Sequence, residues 1–396
     1  MKILYLMTEP FGSGGVQSDL LTLSDDLTKR GHAVYVATTP GVLLEEVKAK
    51  GAIHVNIDFG FKGFAGLFKA AAAMRRVIRE EGIELVAPQS VRSTISAFFA
   101  LRLWPFGYRV KGTGKRVPIV TTIHNIHNPK NFKWSGRILQ NCADHVIFES
   151  HYERNRLMVH GLKAANSEVI HSGVDTSRFV PQPRNEPLAE RYGLVAGKHQ
   201  VFGIVARLSE ETGHNYLVDA FAKVSAGNPD ARLMIIGEGP LLEDVKQQVA
   251  KSGVADRIIF TGMQRDIPSY LSLLDVFVLS STRESFPLAA REAMAGGKPV
   301  ILPRIGGCPE VVDHGVTGYL FEAGRDDELS ARMLDLLEGD RRAAFGQAAR
   351  SRVERLFSRQ AWVDGDERVY AAWLPATVPA AAAAATPAAT APLPLH

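Results

Sequence analysis

The stretch Ser280-Ser281-Thr282-Arg283-Glu284-Ser285-Phe286-Pro287-Leu288-Ala289-Ala290-Arg291-Glu292-Ala293-Met294-Ala295-Gly296-Gly297 reads as strand end, loop, helix and stop. Asp275-Val276-Phe277-Val278-Leu279, just before it, is a short apolar run suited to a buried parallel strand. Pro287 suits a first helical turn, which can spare a donor, and the glycine pair ends the helix. A helix opening just past the carboxyl end of a strand aims unpaired N–H groups and its positive dipole end at the crevice there. The turn Ser285-Phe286-Pro287-Leu288 therefore predicts an anion site suited to phosphate. Glu284 and Glu292 flank it. A carboxylate would repel phosphate but accepts two hydrogen bonds at once, which matches the vicinal hydroxyls of a ribose or hexose. Phosphate in the middle and a polyol at each end describe a nucleotide sugar. Taken singly, Glu284 reads as readily as a charge favourable near a helix start, and Glu292 as a solvated helix residue.

The two glutamates, seven residues apart around Ser-Phe-Pro-Leu and followed by Ala-Met-Ala-Gly-Gly-Lys-Pro-Val, resemble the E-x7-E signature of the retaining GT-B glycosyltransferases of family 4. The resemblance runs through nearly all of residues 1–374. It implies an α/β chain of two Rossmann-like parallel-sheet domains facing across a cleft, with a C-terminal helix crossing back to the first.

Length and composition agree with two cores. The 396 residues carry a net charge of +4, which divides into +8 over residues 1–180 and −4 over the remainder. The basic half could face an acidic lipid or acidic substrate, while a nucleic-acid partner is not expected, for want of a dense basic helix or an aromatic RNA-binding motif. Cys142 and Cys308 are far apart and in no metal-like spacing, so they read as core residues of a reducing compartment. The apolar start, Met1 to Met7, is too short for a signal-peptide core and reads as a first strand; no run approaches a membrane span, so the expectation is a cytoplasmic protein, at most peripheral to a membrane.

Strands are predicted at 2–7, 33–38, 52–57, 84–87, 118–123, 145–148 and 167–171, then at 200–206, 231–236, 257–260, 275–279, 299–302 and 319–321, alternating with helices. The proline-rich stretch Val180 to Pro187 reads as a linker. The expected division is 1–180 for an acceptor-side domain, 181–358 for a donor-side domain, a returning helix at 359–374, and a disordered Ala/Pro-rich tail at 375–396. Gly12-Ser13-Gly14-Gly15 after the first strand looks like a dinucleotide loop, but Gln17 stands where the third glycine should be and no ribose-binding acid ends strand two. Asp364-Gly365-Asp366 lies near the last helix rather than at a strand end, so no metal site is assigned and no cofactor is expected. Residues 96–116 join Phe98, Phe99, Leu103, Trp104, Phe106 and Tyr108 to Arg109, Lys111, Lys115 and Arg116; this segment could rest on an anionic membrane, or be core with a solvated loop.

The resemblance carries residue roles with it. It implies that Gly14 and Gly15 let the main chain approach the donor diphosphate and acceptor, and that His124, directly past the strand ending at Ile123, faces the donor sugar and phosphates; His124 fits this place better than His127. It implies that Arg207 neutralises the diphosphate, that Ser285, Phe286, Pro287 and Leu288 line it, that Glu292 holds the ribose and that Glu284 holds the sugar hydroxyls. His124, Arg207 and Glu284 are the expected catalytic set. Where the family has a lysine five residues beyond this arginine the chain has Thr212, and Ser172 stands where asparagine is usual. The implied activity is retaining, metal-independent transfer from a UDP- or GDP-sugar to a glycan, lipid-linked or small-molecule acceptor, of the kind that builds bacterial envelope polysaccharides and glycoconjugates. Two alternatives stand beside it. Thr212 allows a catalytically degenerate chain that binds nucleotide or glycan or activates a partner, and the fold also serves nucleotide-sugar epimerases.

Overall fold

A computed structural model describes residues 1–12, 15–59, 63–103, 107–110, 114, 116–124, 126, 132–337 and 339–374. Gly14, Trp104, Phe106, Lys111, Lys115, His127 and the tail at 375–396 lie outside the described residues. The first domain contains strands β1 (Lys2–Leu6), β2 (Ala33–Thr38), β3 (Ile53–Asn56), β4 (Leu85–Pro88), β5 (Val120–Ile123), β6 (His145–Phe148) and β7 (Ser167–Val169). They run parallel in the order β3-β2-β1-β4 and β5-β6-β7, and the two sheets meet where Val86 bridges Ile119 and its N–H donates to the Pro118 carbonyl at 3.0 Å.

Strand β1 shows why the central run is apolar beyond its first residue, Lys2. Ile3 and Tyr5 enter the core on one face of the sheet, Leu4 and Leu6 the core on the other. Alternate side chains point to opposite faces, and helices cover both, so both faces of this strand are apolar.

The second domain holds β8 (Gln200–Val205), β9 (Ala231–Ile236), β10 (Ile258–Gly262), β11 (Val276–Val278), β12 (Val300–Pro303) and β13 (Gly318–Phe321) in a parallel six-stranded sheet ordered β10-β9-β8-β11-β12-β13. This is the doubly wound order, in which the strands reverse direction of spread between β8 and β11 and leave a crevice beyond their carboxyl ends. Val174 and Phe179 already belong to this core, which Phe357 completes. At the end of the stretch expected as linker, and running past it, Glu186–Arg191 forms a helix capped by Asn185, whose side chain accepts the Leu188 N–H at 3.1 Å.

The helix Arg359–Trp373 crosses back to the first domain. Trp362, Val363, Val369 and Tyr370 are buried in the β1 core, and the Tyr5 hydroxyl lies 3.3 Å from that of Tyr370. Arg359 anchors its start, with Nη2 at 2.7 Å from both Asp25 and Asp26 and Nη1 at 3.2 Å from Asp175. Asp364 and Asp366 diverge: the first is exposed and pairs with Arg30 at 2.7 Å, the second is buried beneath the helix. Among the described residues, no helix is long and apolar enough to cross a membrane. The aromatic part of the 96–116 segment, Phe98, Phe99 and Tyr108, packs on the first domain's core, while Leu103, Arg109 and Arg116 are exposed.

Candidate active site

The helix Leu288–Ala295 starts where β11 and its loop deliver it, with Pro287 as its N-cap at φ −65° and ψ 110°. The prediction put Pro287 inside the first turn; its extended ψ makes it the residue before that turn. No side chain caps this end, and no described acceptor takes the main-chain N–H groups of Phe286, Leu288 and Ala289. An uncapped helix end at the switch point of a parallel sheet offers free N–H groups and a positive dipole end, the features that suit an anion. Gly306 and Gly307, beyond β12, hold the loop in place from behind: the Gly307 N–H donates to the Ser285 carbonyl at 2.7 Å. Gly306 has φ +56°, and a Cβ there would lie 1.7 Å from the Glu284 carbonyl oxygen, so no side chain fits.

Both glutamates are half-buried at the ends of this site. Glu284 accepts from the Ser281 hydroxyl at 2.8 Å, and burial raises its pKa against that bond. Burial pushes Glu292 up to about 7, with Arg178 and Arg291 pulling the other way. Phe286 is buried between two groups: its ring stacks on His171 with centroids 4.8 Å apart, and the Arg291 guanidinium lies 4.2 Å from its centroid.

Arg207, beyond the end of β8, is exposed, and its guanidinium makes no hydrogen bond or ion pair with a described residue. Thr212 faces inward instead. Its hydroxyl lies 2.7 Å from the Arg207 carbonyl and 2.8 Å from that of Ser209, and accepts the Ser209 N–H at 3.2 Å. It thereby closes the short turn Glu210–Thr212 that carries the chain from Arg207 to the next helix. Gly15 opens the helix Gly15–Lys29 with free space beside it.

His124 is the first residue past β5, as Gln89 is past β4 and Glu149 past β6, so adjacent strands bring the three together. Its Nδ1 lies 2.7 Å from Glu149 Oε1 and its Nε2 2.9 Å from Gln89 Oε1. The Gln89 amide nitrogen donates to the Ala87 carbonyl at 3.1 Å, which leaves the amide oxygen facing the ring. Both ring nitrogens therefore meet acceptors, and the ring is satisfied only as an imidazolium. Burial pulls the His124 pKa down, but the Glu149 carboxylate prevails and holds it above its ordinary value. Asp19 lies beside Glu149 and is pushed up to about 8 by burial and by that carboxylate. At 8 % exposure, His124 reaches the cleft only by an edge.

Sequence reasoning passed over Arg291, which is fully buried and joins the domains. Its guanidinium donates to the Ser172 carbonyl and, at 3.1 Å, to the Ser172 hydroxyl. Burial lowers its pKa, and the nearby Asp19, Glu149 and Glu292 carboxyls oppose that fall. Only an arginine inside an otherwise apolar helical stripe signalled it. Gln89 and Glu149 left a weaker trace, as polar residues at strand ends.

The sequence profile described as Glycosyltransferase Family 4 matches residues 13–178, and that described as Glycosyl transferases group 1 matches residues 189–352. The chain is 26% identical over 378 residues to N-acetyl-alpha-D-glucosaminyl L-malate synthase of Bacillus anthracis, covering 91% of this chain and 93% of that one. It is 36% identical over 225 residues to the GDP-mannose-dependent alpha-(1-6)-phosphatidylinositol monomannoside mannosyltransferase of Mycolicibacterium smegmatis, covering 54% and 58%. The crystal structure of a glycosyltransferase from Rickettsia africae superposes with a TM-score of 0.80 at 21% identity, over 93% of this chain and 97% of that one. Anabaena Alr3699/HepE, solved in complex with UDP and glucose, gives 0.79 at 22% identity, over 94% and 99%. These two structures establish the fold, and the two profiles between them cover most of the described chain: the chain belongs to the family 4 glycosyltransferases of the GT-B fold, enzymes that transfer a sugar.

Proposed function

We propose that the chain transfers a hexosyl group from a nucleoside-diphosphate sugar to a hydroxyl acceptor, with retention at the anomeric carbon and without a metal ion. The observation that carries this reading is the uncapped helix end at Phe286 to Ala289, flanked by two half-buried glutamates, with Arg207 exposed just beyond the neighbouring strand β8. The free amides and Arg207 take the diphosphate, Glu292 accepts from the ribose hydroxyls, and Glu284 accepts from those of the donor sugar. Gly15 and Gly14 bring the first domain's main chain to the site. In the transfer step the acceptor oxygen bonds to the anomeric carbon on the face the phosphate leaves. The carbon–oxygen bond to phosphate breaks, and the departing phosphate takes the acceptor's proton. The protein then supplies orientation and charge. His124, with both nitrogens facing acceptors, contributes positive charge and does not accept a proton.

Relatives differ in sugar and acceptor, as their names show, and range from an N-acetyl-alpha-D-glucosaminyl L-malate synthase to a 2-deoxystreptamine glucosyltransferase of Streptomyces kanamyceticus. A UDP- or GDP-hexose is proposed as donor, and an envelope glycan, glycolipid or small glycoside as product. The first domain's surface around Phe64, which is 81 % exposed, Phe68 and Leu103 is proposed to rest on an anionic membrane from the cytoplasmic side. Binding without turnover is a second reading, favoured by Thr212, whose hydroxyl is committed to its own turn where a second cation would meet the diphosphate.

Hydrolysis and binding across UDP-, GDP-, ADP-, TDP- and CMP-sugars decide between the two. One donor should be hydrolysed, Glu292→Ala should abolish this, and Arg207→Ala should lower kcat by about a hundredfold, the usual cost of removing one group that stabilises the leaving charge. Binding of one nucleotide without hydrolysis, unrescued by Thr212→Lys or by an acceptor panel, would establish the second reading.

A further inference from the structure

Beside Phe286, three groups that take no part in the proposed transfer converge from both domains. His151 opens the helix His151–Met158 of the first domain and His171 follows β7, while Glu310 lies in the short helix Cys308–Val311 beyond β12 of the second. One ligand-type atom from each lies within 4.8 Å of those of the other two. The Glu310 carboxylate accepts the main-chain N–H groups of His151 at 2.8 Å and Tyr152 at 2.9 Å, so both its oxygens act as acceptors.

The ring of His171 is oriented by the hydrogen bond from Nδ1 to the Glu149 carbonyl, 2.8 Å away. A carbonyl can only accept, so the ring proton is on Nδ1 and Nε2 carries a bare lone pair. Nε2 and Glu310 Oε2 face each other at 4.0 Å, beyond hydrogen-bond reach. Capping of a helix explains where Glu310 is, and the stack on Phe286 explains where His171 is. Neither explains a bare nitrogen turned to a carboxylate with a further imidazole, that of His151, at a centroid distance of 5.8 Å.

We propose that His151, His171 and Glu310 form a binding site for a divalent transition-metal ion of the zinc class, joining the two domains at the edge of the donor loop. Two imidazoles and one carboxylate are a ligand set that suits zinc, with bonds of about 2.0–2.2 Å and a fourth position left to water. A hydrogen bond from the far ring nitrogen to a carbonyl, as His171 makes, is the outer-shell contact that metal-bound histidines generally have. The three atoms must draw together slightly to reach a common ion, and the exposed His151 is free to rotate. Magnesium does not suit the site, because it demands oxygen ligands in near-octahedral array. The ion ties first-domain nitrogens to a second-domain carboxylate.

The test is zinc uptake by the metal-free full-length chain, without any donor, measured in competition with a chromophoric chelator. Wild type should take up one equivalent, a tenfold excess of magnesium should not displace it, and His151→Ala and His171→Ala should each weaken it about tenfold or more. His151→Ala is the decisive variant, because the side chain is exposed and Ser150, not His151, caps that helix, so folding does not depend on it. Absence of stoichiometric uptake by wild type, or uptake unchanged in His151→Ala, overturns the proposal. Neither result bears on sugar transfer, because no donor is present.

Discussion

Glu292 ties the chemistry of the site to pH. A carboxyl that titrates near 7 is half protonated at neutrality, and only its ionised form accepts from two ribose hydroxyls at once. If the donor binds through that form, its apparent Kd should rise about tenfold for each pH unit below 7 and level off above 8, because each proton must leave before binding. Calorimetric titration of the donor from pH 6 to 8 checks this. Glu292→Gln should bind weakly and flatten the profile, and a flat profile in wild type would remove Glu292 from the nucleotide. The residue was legible in the sequence because it repeats at a fixed spacing from Glu284. Its titration was not, because burial of a helix residue depends on what packs over it. The same limit applies to His124: the sequence places it at a strand end, but the two acceptors that protonate it come from neighbouring strands, 35 residues before it and 25 residues after it.

At the scale of elements, the helix Leu288–Ala295 ends as its glycines dictate, with Gly297 at φ +74°. The prediction for the 96–116 segment divides. Its aromatics were read as either membrane-facing or core, and the described ones, Phe98, Phe99 and Tyr108, pack on the core, with Phe99 edge-on against Phe68 at 5.1 Å. Phe64 and Phe68 fall on one face of the helix Phe64–Glu81, being four residues apart, with the exposed Lys69 beside them. The exposed apolar surface thus belongs to this helix as much as to the segment after it. If that face meets a membrane, the double substitution of serine for Phe64 and Phe68 should lower co-sedimentation with anionic vesicles several-fold and leave donor binding unchanged, and high salt should weaken what remains. Equal sedimentation of variant and wild type would assign the face to solvent.

The whole molecule carries its strongest charge problem beneath the crossing helix. Asp366 is 1 % exposed, and burial, with Glu149 nearby, pushes it up to about 8; Asp19 is raised to about 8 as well. Each unfolds to an ordinary carboxyl that loses its proton near pH 4. Between pH 4 and 8 the unfolded chain therefore binds fewer protons than the folded one, and stability falls as pH rises, by at most about 1.4 kcal/mol per pH unit for each group. Asp366→Asn keeps the shape and removes one of these titrations. Its melting temperature should fall less than that of wild type between pH 5 and pH 8, as scanning calorimetry would show. Parallel slopes would mean that Asp366 is ionised in the folded chain.

Resemblance to the family implied the returning helix, while the sequence alone determined the alternation of strands and helices, the parallel sheets and the family signature. These follow from local patterns: apolar runs buried on both faces, glycines at helix ends, and a pair of carboxylates at fixed spacing around a helix start. Tertiary structure alone decided that Arg291 crosses the domain boundary to Ser172, that Thr212 bonds to its own turn, and that His151 and His171 meet Glu310 from the other domain. Those contacts join residues far apart in the chain, and their energies depend on desolvation and on the approach of whole elements. No local spacing encodes either.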